Sequence, residues 1–221
     1  MTQDAGNAPT RRQLLAGLGG TATLAAAGIA QAAPWHNDDI AGAMPDLAFT
    51  LTRARDGKAV TAADYRGKIV LLYFGYTFCP DVCPTTLGNV ATILDSLGRR
   101  AQNVRFLFVT VDPNRDTAPV LNEYAAEFAP EVEGMRAGPN ALAALARRYR
   151  VTYSVTPSPD PTHYEVTHSS AIFAFDRQGH VRLLVTSLGT AQPDITGTEA
   201  DLRRLIAGGG GGLGSWLRGL L

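Results

Sequence analysis

Two continuous apolar runs, residues 69–74 and 104–111, are separated by a segment whose apolar side chains recur at helical spacing. Short runs of this composition favour strands that are covered on both faces of a sheet. The helical positions between them are Leu87, Val90, Ile93, Leu94 and Leu97, and Gly98 ends the pattern. A strand, a helix and a strand of this size predict a βαβ unit, whose right-handed crossover makes the two strands parallel.

Further elements are predicted on both sides of this unit. Before it come an alternating run at 49–52, an Asp56-Gly57 turn and a short capped helical turn at 61–64. After it we expect two helices, an antiparallel hairpin and a last helix, at residues 117–128, 140–149, 171–175 with 181–185, and 199–206. The order of elements predicts an α/β fold with a central mixed sheet flanked by helices and an N-terminal extension.

Two carboxylates follow the second predicted strand, at Asp112 and Asp116. This edge of the sheet also carries the loop after residue 74, so either carboxylate could orient a site there or meet a partner. We favour a local role for both, with Asp112 organising the turn and Asp116 or Thr117 capping the following helix.

The amino terminus has the three parts of an export signal. Arg11-Arg12 precede an uncharged stretch rich in Ala, Gly and Thr, which ends in the small-x-small sequence of residues 30–32. Paired arginines ahead of Leu14-Leu15 indicate the twin-arginine variety. We expect residues 1–32 to be a signal peptide that directs the protein to the periplasm, with an uncleaved tether to the inner membrane as the alternative.

Composition gives the remaining boundaries and excludes one class of partner. We interpret residues 33–46 as a linker, 47–207 as a single domain and 208–221 as a flexible, glycine-rich tail. The chain has 20 basic and 20 acidic side chains among its 221 residues. Because neither sign of charge is in excess, nucleic acid is not an expected partner.

Both cysteines of the chain, Cys79 and Cys83, lie between the first apolar run and the predicted helix. Two thiols this close form one site, which can carry out redox exchange, bind a soft metal or close a structural disulfide. At a helix amino terminus we expect the pKa of both thiols to be lowered.

The number of cysteines limits the metals that this site could hold. A structural zinc site would need two further histidine ligands from the four histidines of the chain. Two thiolates and one imidazole suit a three-coordinate cuprous ion, because soft sulfur ligands select Cu(I).

Three blocks of the sequence are similar to the Sco/SenC family, in the order that the family has them. They are residues 67–84, which contain Cys-Pro-Asp-Val-Cys, residues 111–117, with Asp-Pro-Asn-Arg-Asp, and residues 164–170, with Thr-His-Ser. The resemblance extends over roughly residues 45–190. It implies a thioredoxin-like fold and a copper chaperone of the periplasm or the inner mitochondrial membrane.

By this resemblance the copper ligands are Cys79, Cys83 and His168, the histidine that opens a late strand. The resemblance implies that the protein binds Cu(I), Cu(II) or both and delivers copper to the copper-bearing subunit of cytochrome c oxidase. Other periplasmic copper carriers and thioredoxin-like reductants are further expected partners. The protein is thus expected to be a carrier and not an enzyme.

The alternative is a thiol-disulfide reductase in which the redox pair Cys79 and Cys83 reduces the cysteines of the target copper site. A peroxidase is less favoured, because no arginine partner for a single attacking cysteine is evident in the sequence.

Overall fold

The computed structural model describes residues 2, 33–160 and 164–208. The chain divides into two units, Met1–Ala33 and Pro34–Leu221, and every element below belongs to the second unit. Apart from Thr2 and Gly208, the predicted signal peptide and the predicted tail lie outside the described residues.

Most strands of the second unit form one mixed sheet of eight strands, in the order β1-β10-β9-β4-β5-β6-β2-β3. A separate ribbon pairs β7 with β8. The strands are β1 Asp38–Asp39, β2 Thr50–Arg53, β3 Ala59–Thr61, β4 Ile69–Gly75, β5 Val104–Thr110, β6 Val132–Arg136, β7 Tyr153–Thr156, β8 Glu165–His168, β9 Ile172–Phe175 and β10 Val181–Val185.

Four α-helices are found among the described residues, together with two short 3-10 helices. The α-helices are α1 Val82–Leu97, α2 Ala118–Ala126, α3 Pro139–Arg148 and α4 Ile195–Ile206. The 3-10 helices are Ala62–Tyr65 and Gly98–Asn103. No helix in the described part of the chain combines the length and the apolar character needed to cross a bilayer.

The central strand β4 is buried along its whole length and separates two apolar cores. Ile69, Leu71 and Tyr73 face the core that α1, α2 and α4 cover, because alternate side chains of a strand point to opposite faces. Leu72 and Phe74 face the other core, which α3 covers. Burial on both faces explains why the run is continuously apolar.

The predicted βαβ unit is confirmed. Strands β4 and β5 pair in parallel from Ile69 with Val104 to Gly75 with Thr110, and α1 connects them. Gly98 ends α1 with a positive φ of 54°, a conformation that glycine adopts without steric cost. The hairpin β9–β10 and the mixed character of the sheet are confirmed as well.

The sheet also contains strands that the apolar pattern did not indicate. Strand β6 carries Glu133, whose buried carboxylate accepts a hydrogen bond of 2.6 Å from the Tyr65 hydroxyl and lies 3.5 Å from the Arg105 guanidinium. Strand β1 lies inside segment 33–46, ahead of the predicted domain start, and pairs with β10. Next to it, the Asp201 carboxylate of α4 accepts hydrogen bonds from the backbone N–H groups of His36 and Asn37.

Candidate metal centre

Three elements bring the sequence-predicted residues Cys79, Cys83 and His168 together. Cys79 lies in the loop after β4, Cys83 is in the first turn of α1, and His168 is the last residue of β8. Their sulfur and imidazole ligand atoms all lie within 4.8 Å of one another. His168 was predicted to open the late strand at 171–175, which is wrong, because it ends the separate strand β8, and β9 begins four positions later at Ile172.

The close approach of α1 to β4 depends on Gly75, the last residue of the strand. A Cβ atom at this position would lie 2.6 Å from the Phe108 ring and 2.8 Å from Cys83 Sγ. Only a residue without a side chain therefore lets Cys83 sit against the end of β4. Pro84 follows in the first helical turn, where its missing N–H costs no hydrogen bond.

The two thiols have unequal surroundings. Cys83 is fully buried and Cys79 is partly exposed. The Cys83 backbone N–H donates to Cys79 Sγ over 3.5 Å, as expected for an unpaired amide at a helix amino terminus. The hydroxyl of Tyr73, the one hydroxyl in the run 69–74, donates to Cys83 Sγ over 3.6 Å.

The pKa of Cys79 is lowered to about 3, chiefly by the side-chain hydrogen bond from Cys83, with further contributions from His168 and backbone N–H groups. The pKa of Cys83 is raised, because its proton is held in that hydrogen bond and because the thiol is buried. The prediction that both pKa values are lowered is therefore wrong for Cys83. Two adjacent thiols share one proton, and the more buried sulfur keeps it.

The imidazole of His168 is oriented by the backbone carbonyl of the next residue. Nδ1 lies 3.0 Å from the Ser169 carbonyl oxygen, and Nε2 lies 3.2 Å from Cys83 Sγ. Because a carbonyl oxygen only accepts hydrogen bonds, this contact places a proton on Nδ1 and turns Nε2 toward the sulfurs. The rings of Tyr73 and Tyr76 meet the imidazole edge-on at centroid distances of 6.0 and 5.8 Å.

A buried carboxylate fixes the loop that leads to Cys79. Asp116 accepts hydrogen bonds from the Thr77 backbone N–H at 3.1 Å, from the Thr77 hydroxyl at 2.6 Å and from the Thr110 hydroxyl. Burial raises its pKa. Asp116 thus does not cap α2, whose N-cap is Thr117. From the sequence, an orienting role for Asp116 was the less favoured interpretation. Its contacts with Thr77 support that role.

Asp112 does more than organise its turn. Its carboxylate, 2% exposed, accepts hydrogen bonds from Arg115 Nε at 2.5 Å and from the Tyr164 hydroxyl. Arg115, Thr77 and Tyr73 were not singled out from the sequence. The Asp-Pro-Asn-Arg-Asp block was a signal for Arg115, but its contact with Tyr164 joins segments far apart in the chain.

The donor set fits a soft, low-coordinate metal ion. Two sulfurs and one imidazole nitrogen are preferred by Cu(I) over harder divalent ions. Among the described histidines, His36 and His180 are not part of the cluster, and His163 lies outside the described residues. The described residues therefore provide three of the four protein ligands that a structural zinc site needs.

Comparison with known proteins identifies the family. A model described as SCO1/SenC matches residues 39–206. The chain belongs to the SCO1/SenC family. It is 38% identical over 125 residues to the mitochondrial SCO2 homolog of Bos taurus, an alignment that covers 56% of this chain and 47% of that protein. The chain thus spans about half the length of this curated relative.

Solved structures of family members confirm the thioredoxin-like α/β fold. Bradyrhizobium japonicum ScoI with copper bound is 36% identical, with a TM-score of 0.64 over 72% of this chain and 98% of that chain. Arabidopsis thaliana ScoI with copper bound is 32% identical, with a TM-score of 0.63 over the same shares, 72% and 98%.

Proposed function

We propose that this protein is a copper-binding metallochaperone that holds copper, as Cu(I), Cu(II) or both, through Cys79, Cys83 and His168. The observation that carries the proposal is the convergence of their three ligand atoms within 4.8 Å. The copper-bound structures of the ScoI proteins from Bradyrhizobium japonicum and Arabidopsis thaliana support copper as the metal.

The unequal exposure of the sulfurs suits a carrier that accepts and releases its cargo. Cys83 is buried in the first turn of α1 and provides a fixed ligand, whereas Cys79 reaches solvent. Cys79 is already a thiolate at neutral pH because its pKa is about 3. A ligand of an approaching partner can therefore replace Cys79 or His168 while copper stays bound to the remaining donors.

The cellular setting of the proposal comes from the sequence and the family. A twin-arginine signal in residues 1–32 would export the folded domain to the periplasm, with or without a tether to the inner membrane. There we propose that it delivers copper to the copper centre of cytochrome c oxidase during assembly. Other periplasmic copper carriers and thioredoxin-like reductants would supply the metal and reduce the cysteines.

The ligand set is tested by anaerobic titration of the reduced protein with Cu(I) against a chromogenic chelator. We expect one copper per chain for the natural protein, and His168→Ala to weaken binding by more than about a hundredfold, since even indirect contacts of metal ligands are worth 10- to 100-fold. His180→Ala is the matched control, because His180 is 60% exposed and pairs with Asp176. Full Cu(I) affinity in His168→Ala would exclude the histidine from the ligand set.

A thiol-disulfide reductase is the second candidate function, and the asymmetry of the thiols favours it. The Cys79 thiolate would attack a target disulfide, forming a mixed disulfide and releasing one target sulfur as a thiolate. The Cys83 thiol would then give up its proton to the released target thiolate and attack Cys79 Sγ. The second target thiolate leaves, the target disulfide has gained two electrons, and Cys79 and Cys83 are oxidised to a disulfide.

The two functions differ in their need for the histidine and for the buried cysteine. A reductase retains disulfide reduction in His168→Ala and accumulates a mixed disulfide through Cys79 in Cys83→Ser. Mass spectrometry after incubation with a disulfide-bonded target peptide detects this adduct. If no adduct forms, the protein does not act as a reductase on that target.

A further inference from the structure

His168 lies on a two-stranded ribbon that is separate from the main sheet. His168 ends the ribbon β7–β8, whose strands pair only with each other, from Tyr153 with His168 to Thr156 with Glu165. A two-stranded ribbon is marginally stable by itself in water. Side-chain contacts must therefore set the position of His168 relative to the cysteines.

One cluster joins the ribbon to the cysteine loop, and we name Phe78, Asp112, Arg115 and Tyr164 the Arg115 clamp. The Arg115 guanidinium lies 3.7 Å from the centroid of the Tyr164 ring and 4.8 Å from that of Phe78. Tyr164 directly precedes β8, and Phe78 directly precedes Cys79. The Arg115 guanidinium thus contacts the residue before Cys79 and the residue before the strand that carries His168.

The carboxylate of Asp112 fixes the clamp to the main sheet. It lies just after β5 and receives hydrogen bonds from Arg115 Nε and from the Tyr164 hydroxyl. Asp112 is 2% exposed and the Arg115 side chain 13% exposed, so solvent weakens these charge-assisted bonds little. The Asp112 carboxylate therefore orients the Arg115 guanidinium and holds Tyr164, the residue before β8.

We propose that Arg115 is a positioning residue, which with Asp112 holds the strand of His168 against the cysteine loop. Without this clamp Cys83 remains in place in the first turn of α1, while the imidazole loses its fixed distance to Cys83 Sγ. The copper part of this inference rests on the proposed function, whereas the restraint on the ribbon does not.

Replacement of Arg115 by lysine is the sharpest test, because it keeps the charge and removes the planar stacking and the forked donor geometry. Arg203→Lys is the matched control, since Arg203 bonds Glu199 and the Ser96 carbonyl at the far end of α1. Tyr164→Phe removes only the hydroxyl bond to Asp112, and it serves as the second variant if Arg115→Lys folds poorly.

The first readout is amide hydrogen exchange of the reduced, metal-free full chain. We expect exchange of residues 165–168 to be about tenfold faster in Arg115→Lys, as loss of cation-π and hydrogen-bond contacts of this kind implies, and less accelerated in Tyr164→Phe. Exchange in β5 should not change in either variant or in Arg203→Lys. Unchanged exchange of the ribbon, or an equal rise in β5, would overturn the inference.

The second readout is the rate of Cu(I) transfer from the loaded protein to a chelator. We expect Arg115→Lys to speed transfer about tenfold in the natural background and to have no further effect when His168 is alanine, because coupled residues are not additive. An equal effect in both backgrounds would mean that Arg115 does not act through His168. Absence of Cu(I) binding by the natural protein would contradict the proposed function, and the clamp would then stand or fall on hydrogen exchange of the ribbon alone.

Discussion

The two halves of the candidate site differ in how the fold holds them. Cys83 is fully buried where α1 packs on the central strands β4 and β5. His168 is on a ribbon in which Val166 is the one buried side chain of its two described strands. The cysteine half is thus part of the core, whereas the histidine half is attached to it by a few side chains.

This difference indicates how a copper carrier can combine retention with release. The core holds the Cys83 sulfur in a buried position. Under the proposed function the ribbon would supply the third ligand, and its withdrawal would break a few contacts without changing the main sheet.

The largest expected effect concerns the reactivity of the two sulfurs. At pH 5 we expect iodoacetamide to modify Cys79 more than about a hundredfold faster than Cys83, because only the thiolate reacts. Since the pKa of Cys79 is lowered to about 3, its rate should stay high as the pH falls and decline only near pH 3. Peptide mass spectrometry measures both sites.

The matched variant for this measurement is Cys83→Ser. The weaker interaction of a serine hydroxyl with the Cys79 thiolate should raise the pKa of Cys79 and slow its modification at pH 5. A midpoint near the ordinary thiol value in the natural protein would contradict the proton sharing.

The next largest expected effect is on the stability of the core around Cys83. Leu87 of α1 is fully buried, so Leu87→Ala should lower the free energy of unfolding by about 2–5 kcal/mol. Urea denaturation followed by circular dichroism measures the change. A loss below about 1 kcal/mol would show that α1 is held less tightly than the packing indicates.

A smaller loss of stability is expected from a change at the contact between β4 and Cys83. Gly75→Ala places a methyl group 2.8 Å from Cys83 Sγ and should cost about 1–3 kcal/mol of stability by overpacking. Cu(I) affinity should fall with it, because the sulfur must move. Gly88→Ala is the control within α1, since nothing lies within 4 Å of the added carbon there. If both variants bind Cu(I) like the natural protein, the position of Cys83 does not depend on Gly75.

The smallest effect on stability is expected in the ribbon. Val166→Ala removes two buried methyl groups, which are worth about 1.5 kcal/mol, whereas Val155→Ala on the exposed face should change stability by less than about 0.5 kcal/mol. Val166→Ala should nevertheless weaken Cu(I) binding more than its small cost in stability suggests. A loss of Cu(I) affinity no greater than that of Val155→Ala would show that the ribbon is held from elsewhere.

The elements that could be predicted are those with a local signal. Residues 69–74 and 104–111 are apolar because both sheet faces are covered, and the spacing of Leu87, Val90 and Leu94 is that of a helix packed on one face. Strand β6 was missed because Glu133 interrupts its apolar character. Its carboxylate is acceptable in the interior only through Tyr65 and the arginines of neighbouring strands, which are remote in sequence.

Neither strand of the ribbon was predicted. Strand β7, Tyr-Ser-Val-Thr, alternates apolar and polar residues over only four positions, and three of its four side chains are exposed, so the pattern was too short to indicate a strand. His168 was selected through its sequence block and not through its place in a strand. Its 3.2 Å approach to Cys83 Sγ spans 85 positions of the chain and depends on the ribbon.

The sequence by itself determined the βαβ unit, the position of Cys79 and Cys83 between a buried strand and a helix, and the family, because each depends on patterns within short segments of the chain. Only the tertiary structure decided which thiol keeps the shared proton, that Asp116 holds the cysteine loop, and that Arg115 links Phe78 to Tyr164. These properties depend on burial and on contacts between segments that are remote in sequence, and both arise only when the chain folds.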